Sequence, residues 1–190
     1  MRLALLLSLT GCFSADRVVV VATLHAKKDT AHLRQDLDNV WPGSVGCEGT
    51  VAECVAGVRE ALRPEEGFSR SWARVADGSL DMGFEGDFPV EKLKDVGITR
   101  IREVRGRRVR ERFAMLVTPE PHEHVAVAGR HRRYELAEGD TEKHLWVLTG
   151  RRHTVTLEWL ATEEGRPVTA PKWVTPQIEG ALREAGLLEG

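Results

Sequence analysis

Apolar and polar positions alternate with a period of two along much of this chain, the pattern of strands that bury one face. Arg17-Val18-Val19-Val20-Val21-Ala22-Thr23-Leu24-His25 is rich in β-branched residues and reads as a strand. Residues 30–41 admit two readings. Leu33, Leu37 and Val40 fit one face of a helix, whereas Ala31, Leu33, Leu37 and Trp41 fit one side of a strand. Lys27-Lys28-Asp29 can act as a hairpin turn, which inclines the reading toward the strand. Residues 72–84 predict a hairpin turning at Asp77-Gly78, with Leu80, Met82 and Phe84 alternating. Residues 98–104 and 109–118 predict a second hairpin around Gly106. Strand patterns follow over 125–136, 143–149 and 153–161, the last with Val155, Leu157 and Trp159 on one face.

Helical spacing appears in three places. Thr50-Val51-Ala52-Glu53 has capping-box spacing, and Val51, Cys54, Val55, Val58, Ala61 and Leu62 then form one stripe that Pro64 ends. Residues 89–96 predict a short helix, opened by Pro89 and stopped by Gly97. Thr175 can cap a last helix that buries Ile178, Leu182 and Leu187. Many hairpins and few strand–helix–strand spacings predict an α+β fold. The expected architecture is a mostly antiparallel β-sheet with two or three helices packed on one side. Residues 18–190 are expected to form a single domain, with a possible sub-boundary near 119–124, where Pro119 and Pro121 break the pattern.

The amino terminus adds an address. Arg2 precedes the apolar run Leu3 to Leu9, and Thr10-Gly11-Cys12 follows. A positive end, a short apolar run and small residues form a secretory signal peptide, and the run is too short to span a bilayer as a helix. Leu9-Thr10-Gly11-Cys12 resembles the lipobox of bacterial lipoprotein precursors. That resemblance implies removal of residues 1–11, lipidation of Cys12 and a short tether over 12–17. It also implies a place in the bacterial cell envelope, and Phe13 after the cysteine favours the outer over the inner membrane. The hairpins that follow shortly after the cysteine resemble those of LppM-type bacterial lipoprotein domains.

Charge excludes one class of partner. The chain carries 27 Lys+Arg against 29 Asp+Glu. A slightly acidic balance argues against bulk nucleic-acid binding. Outside the cytoplasm thiols tend to pair, so Cys47, in a Gly-rich loop, and Cys54, one turn into the first helix, are expected to form a disulfide. Two free buried thiols are the alternative.

The densest chemical feature is 100–112, with seven arginines against Glu103 and Glu111. Guanidinium forks grip phosphates and carboxylates in pairs. Arg100, Arg102, Arg108, Arg110 and Arg112 are therefore candidates for an anionic-ligand face. The competing reading is the wet side of a sheet balanced by acidic neighbours. In a hairpin, Arg100 and Arg102 share one face and Arg108, Arg110 and Arg112 share one face; whether the two sets coincide depends on the register. With a lipid anchor close by, such a face could orient the domain on anionic headgroups or bind an anionic envelope glycolipid.

His122 and His124 have the alternate spacing that lets two imidazoles share a metal, with Glu120 nearby, and are the only metal candidates. His131 and His153 sit among arginines and read as solvated loop ends, and His25 and His32 can face each other across a hairpin. The five tryptophans read as core anchors rather than a sugar-stacking platform. No Gly-x-Ser-x-Gly elbow, His-Glu-x-x-His helix or phosphate loop is present, so neither catalytic residues nor a cofactor are assigned. The expected function is a lipid-anchored, non-enzymatic binding module for an anionic lipid, a glycan or an envelope protein. A structural accessory of the envelope and a hydrolase with an unrecognised site are the alternatives.

Overall fold

The computed structural model describes residues 14–63, 67–118, 122–138 and 141–189. The lipobox, Cys12, Pro64 and the proposed break at 119–121 lie outside the described residues. Strand β1 (Ala15–His25) begins two residues earlier than its β-branched run suggests. Ala15 and Arg17 already pair with Val40 and Asp38, so residues 15–17 of the expected tether belong to the sheet. The strand's even positions turn inward, and Val20, Ala22 and Leu24 are buried.

The ambiguous segment is a strand, β2 (Thr30–Val40), antiparallel to β1 with Val18 opposite Leu37 and Thr23 opposite His32. Its inward set is Ala31, Leu33, Gln35 and Leu37; the charges of Arg34, Asp36 and Asp38 point outward. Period-two segregation of charge decides the matter, because a helix would have spread these charges around its circumference. Alternation fails at Asn39, which has a φ of 50° and is buried together with Val40. Trp41 therefore leaves the strand and opens a 3₁₀ turn, Pro42–Val45.

Strands β3 (Phe68–Ala76) and β4 (Ser79–Pro89) form the hairpin expected at Asp77-Gly78. Both turn residues are left-handed, with φ of 50° and 76°, the geometry of a two-residue hairpin whose twist matches its strands. Residues 89–96 depart from expectation: Val90–Val96 forms 3₁₀ turns, not an α-helix. Val90 and Leu93 are both buried at i,i+3 spacing, which a three-residue turn stacks directly.

Two α-helices are described. Helix α1 (Val51–Ala61) starts in a full capping box, with Thr50 Oγ1 accepting from the Glu53 N–H and the Glu53 carboxylate accepting from the Thr50 N–H at 2.6 Å. Helix α2 (Pro176–Glu184) is capped by Thr175, whose hydroxyl accepts from the Ile178 N–H. Cys54, Val58 and Leu182 turn inward, and both helices lie on one side of the sheet.

The remaining strands are β5 (Ile98–Arg105), β6 (Arg108–Val117), β7 (Glu123–Ala128), β8 (His131–Glu138), β9 (Thr141–Leu148) and β10 (Arg152–Leu160), with a small β11–β12 ribbon at Thr162–Glu163 and Arg166–Pro167. A six-stranded sheet has the order β3-β4-β2-β1-β10-β7, and a four-stranded sheet has the order β5-β6-β9-β8. Every pairing is antiparallel. The single strand expected over 125–136 is two strands. The chain bends at Gly129, where φ is 106°, and passes from one sheet to the other. β9 and β10 make the same crossing, and the Thr149 N–H donates to the Arg130 carbonyl at 2.8 Å between the two crossings. Phe113, Met115 and Leu148 of the smaller sheet share one buried cluster with Leu24, Leu37 and Val155 of the larger and with Leu182 of α2.

Candidate binding surface on the arginine hairpin

The β5–β6 register separates the arginines into two sets. Arg100 lies opposite Phe113, Ile101 opposite Arg112, Arg102 opposite Glu111, Glu103 opposite Arg110 and Arg105 opposite Arg108. Side chains alternate across a sheet. Arg100 and Arg102 therefore share the face of Phe113 and Glu111, whereas Arg110 and Arg112 share the reverse face with Ile101 and Leu116. The five candidates do not form one surface.

Arg100 is a clamp. Its side chain is only 18% exposed. It donates from Nη1 to Asp29 at 2.6 Å, and from Nη2 to Glu111 at 2.7 Å and to the Ala26 carbonyl at 3.3 Å. These contacts bind the hairpin to the β1–β2 turn and raise the guanidinium pKa, Asp29 contributing most. Arg102 is exposed on the same face as Glu111.

The reverse face is amphipathic. Arg110 is exposed and Arg112 half-buried. Around them stand Ile101, Leu116, Tyr134 and Leu136, all exposed. Register brings three of these together through β9: Leu116 opposes Leu145, which opposes Tyr134, while Lys143 opposes Leu136 and Val147 opposes Arg132; Ile101 lies apart, opposite Arg112. Arg108 takes its place in the same row of backbone. The result is an apolar band of Leu116, Leu145, Tyr134 and Leu136 beside Arg132 and Lys143, with Arg112 and Arg110 four and six residues further along β6 from Leu116 and Glu103 placed opposite Arg110. Contiguous exposed apolar side chains within a charged rim mark an interaction surface, and arginine stems cover apolar area while their heads reach anions. The contribution of β8 escaped sequence reasoning. Arg132, Tyr134 and Leu136 alternate visibly, but their union with the arginine hairpin depends on a pairing remote in sequence.

The other candidates distribute as follows. Cys47 and Cys54 are buried with their sulfurs within bonding distance and Cα atoms 4.2 Å apart. His124 projects from β7 on the side opposite Glu123, whose carboxylate accepts from Trp159 Nε1 at 2.8 Å. Among the described residues, the three-donor cluster is instead Glu135, Glu142 and His144, with ligand atoms within 4.8 Å of one another. Arg133 sits among them, 3.0 Å from His144 Nε2 and 3.4 Å from Glu135, so a guanidinium stands where a cation would. His122 and His124 take no part in that cluster.

Two readings need correction. His153 is not a solvated loop end: it is 1% exposed, and neither ring nitrogen has a hydrogen-bond partner among the described residues. Burial pushes its pKa below the usual range against an opposing pull from the Gly150 backbone, and His131 adds slightly to the lowering. The tryptophans are not all core anchors. Trp159 is buried. Trp72 lies instead on the outer face of the six-stranded sheet, over Gly83, with the guanidinium carbons of Arg34 and Arg70 at 5.0 and 5.6 Å from its ring centre. No protein-family model matches the chain, and no curated protein matches its sequence.

Proposed function

We propose that this chain is a lipid-anchored protein of the bacterial envelope that binds an anionic, partly apolar envelope component without catalysing a reaction. The lipobox at Leu9-Thr10-Gly11-Cys12 carries the reading. Only Phe13 and Ser14 separate Cys12 from β1, a reach of about 7 Å when extended. A lipid on Cys12 would hold the start of β1 against the bilayer. β1 then runs for eleven residues, about 36 Å, to the turn on which Arg100 is clamped. The arginine hairpin thus belongs to the end of β1 remote from the anchor. That placement favours an envelope partner approaching from the aqueous side over the headgroups of the anchoring membrane. Phe13 after the cysteine favours the outer membrane.

The test is mass analysis of the protein extracted from membranes, beside the Cys12→Ala variant. The expected product begins at an acylated Cys12, and the variant should move to the soluble fraction. An intact Met1 or an unmodified Cys12 thiol would overturn the anchor. For the surface, Arg110→Ser/Leu136→Ser should lose partners that the wild type retains on cross-linking in envelope preparations. An unchanged cross-linking pattern would overturn the assignment of this face.

A further inference from the structure

On the outer face of the six-stranded sheet, the charged residues are almost all matched. Arg17 pairs with Asp38 and Glu158, Arg34 with Asp36, Arg70 with Glu85 and Glu189, and Arg74 with Asp81. One place breaks the mosaic. A depression of about 420 Å³ lies at the β1–β2 turn, lined by Thr23, His25, Lys28, Thr30, His32, Asp87 and Arg152. The register builds it: Thr23 is opposite His32 on one side of β1, and His25 is opposite Arg152 on the other. Alternation then aims all four side chains to the same face.

Among the described residues, Lys28 and Arg152 have no carboxylate partner, and the hydroxyls of Thr23 and Thr30 make no hydrogen bond. The lone carboxylate, Asp87, is engaged by His32 at 3.2 Å. His25 Nδ1 accepts from the Lys27 N–H at 3.3 Å. That contact places the imidazole proton on Nε2, which becomes a donor. Two cations, an imidazole N–H and two hydroxyls therefore line one concavity whose single carboxylate, Asp87, is taken by His32. The complementary ligand is a compact oxyanion with several acceptor oxygens and more than one negative charge. Its volume lies toward the lower end of the ~300–1,000 Å³ typical of ligand pockets, which suits a phosphate carrying a small substituent.

We infer that the depression bounded by His25, Lys28 and Arg152 binds a phosphate monoester group. The site is distinct from the face carrying Arg110 and Arg112, and it stands whether or not Cys12 is acylated. The shared chemistry admits two sources, a soluble phosphorylated molecule or a phosphorylated lipid headgroup.

The experiment uses the full chain purified in detergent. Inorganic phosphate and glycerol 1-phosphate are titrated by calorimetry, and a parallel arm measures flotation of the Cys12→Ala chain, which carries no acyl anchor, with vesicles of phosphatidylcholine containing phosphatidic acid. Saturable phosphate binding is expected, weakened about tenfold or more by Arg152→Gln and by Lys28→Gln and largely retained in Arg152→Lys. Arg74→Gln, which removes a cation already paired with Asp81 on the same sheet face, should leave it unchanged. Soluble ligands binding without flotation assigns a soluble source; flotation that Arg152→Gln abolishes assigns a headgroup. Absence of binding by either probe at millimolar concentration overturns the site. Equal losses in Arg74→Gln and Arg152→Gln overturn it as well, because general surface charge would then explain the affinity.

Discussion

Gly57 and Gly180 pose one substitution with opposite expected signs. Each lies inside a helix, α1 and α2 respectively, where alanine is favoured over glycine by about 1 kcal/mol. At Gly180 a Cβ meets nothing within 4 Å, so Gly180→Ala should stabilise the protein by up to about 1 kcal/mol. At Gly57 the same atom falls within the Val45 carbonyl, 2.8 Å from its carbon and closer still to its oxygen. The obstacle is backbone, so no rotamer change relieves it. α1 would have to lift off the 3₁₀ turn, although Val45, Cys54 and Val58 are buried on either side of the contact. Cys47, at the turn's exit, also lies within bonding distance of Cys54 on the helix. Overpacking costs about 1–3 kcal/mol and occasionally more; a backbone collision belongs at the top of that range. After the helical gain, a net loss of about 2 kcal/mol remains for Gly57→Ala. Urea unfolding is the assay. With a slope of about 2 kcal/mol/M, the midpoint should fall by about 1 M for Gly57→Ala and rise by up to half that for Gly180→Ala. If Gly57→Ala is as stable as the wild type or more so, the close approach of α1 to Val45 is wrong.

Three further outcomes follow from the buried groups. The His153 pKa is lowered in the folded state. Above its ordinary value of about 6.5 both states are neutral; below it the unfolded chain takes up a proton that the native protein refuses. Stability should therefore fall on acidification from pH 6.5, by up to about 1.4 kcal/mol per pH unit, until the depressed native pKa is reached. Urea midpoints at pH 7.5 and 5.5 measure this; His153→Leu should remove much of the slope, and an unchanged slope refutes the assignment. If the Cys47–Cys54 bond forms, Cys47→Ser/Cys54→Ser should cost about 2 kcal/mol by chain entropy alone, read from oxidised and variant midpoints. Arg100→Met removes the bonds to Asp29 and Glu111 and should destabilise by about 1–2 kcal/mol, with faster hydrogen exchange in β5; unaltered exchange would mean that the clamp is dispensable.

Short-range patterns carried most of the elements. The capping box at Thr50 and Glu53, the Asp77-Gly78 turn and the alternation in 153–161 each depend on neighbours a few residues apart, and each appears where it was expected. What escaped depends on distant partners. Nothing local says that Arg100 and Arg112 face opposite ways, because that follows from a register counted from the turn at Gly106. The break at Gly129 was hidden inside a continuous strand pattern; only the need to serve two sheets explains it. His153 looked solvated beside Arg151 and Arg152, yet alternation along β10 turns it to the buried face with Val155 and Leu157. Of the surface proposed for binding, the arginines were legible. The apolar band from β8 and the depression at Lys28 were not, since both are assembled by pairing between remote strands.

The place of β10 has a consequence for how the chain is made. β1 lies between β2 and β10, and Arg17 meets Glu158 across a separation of 141 residues. Until β10 has been made, one edge of β1 keeps its amide and carbonyl groups unmatched. A nascent polypeptide halted earlier cannot close the larger sheet. Closure of the larger sheet is thus deferred until β10 follows β1, an order that favours slow maturation.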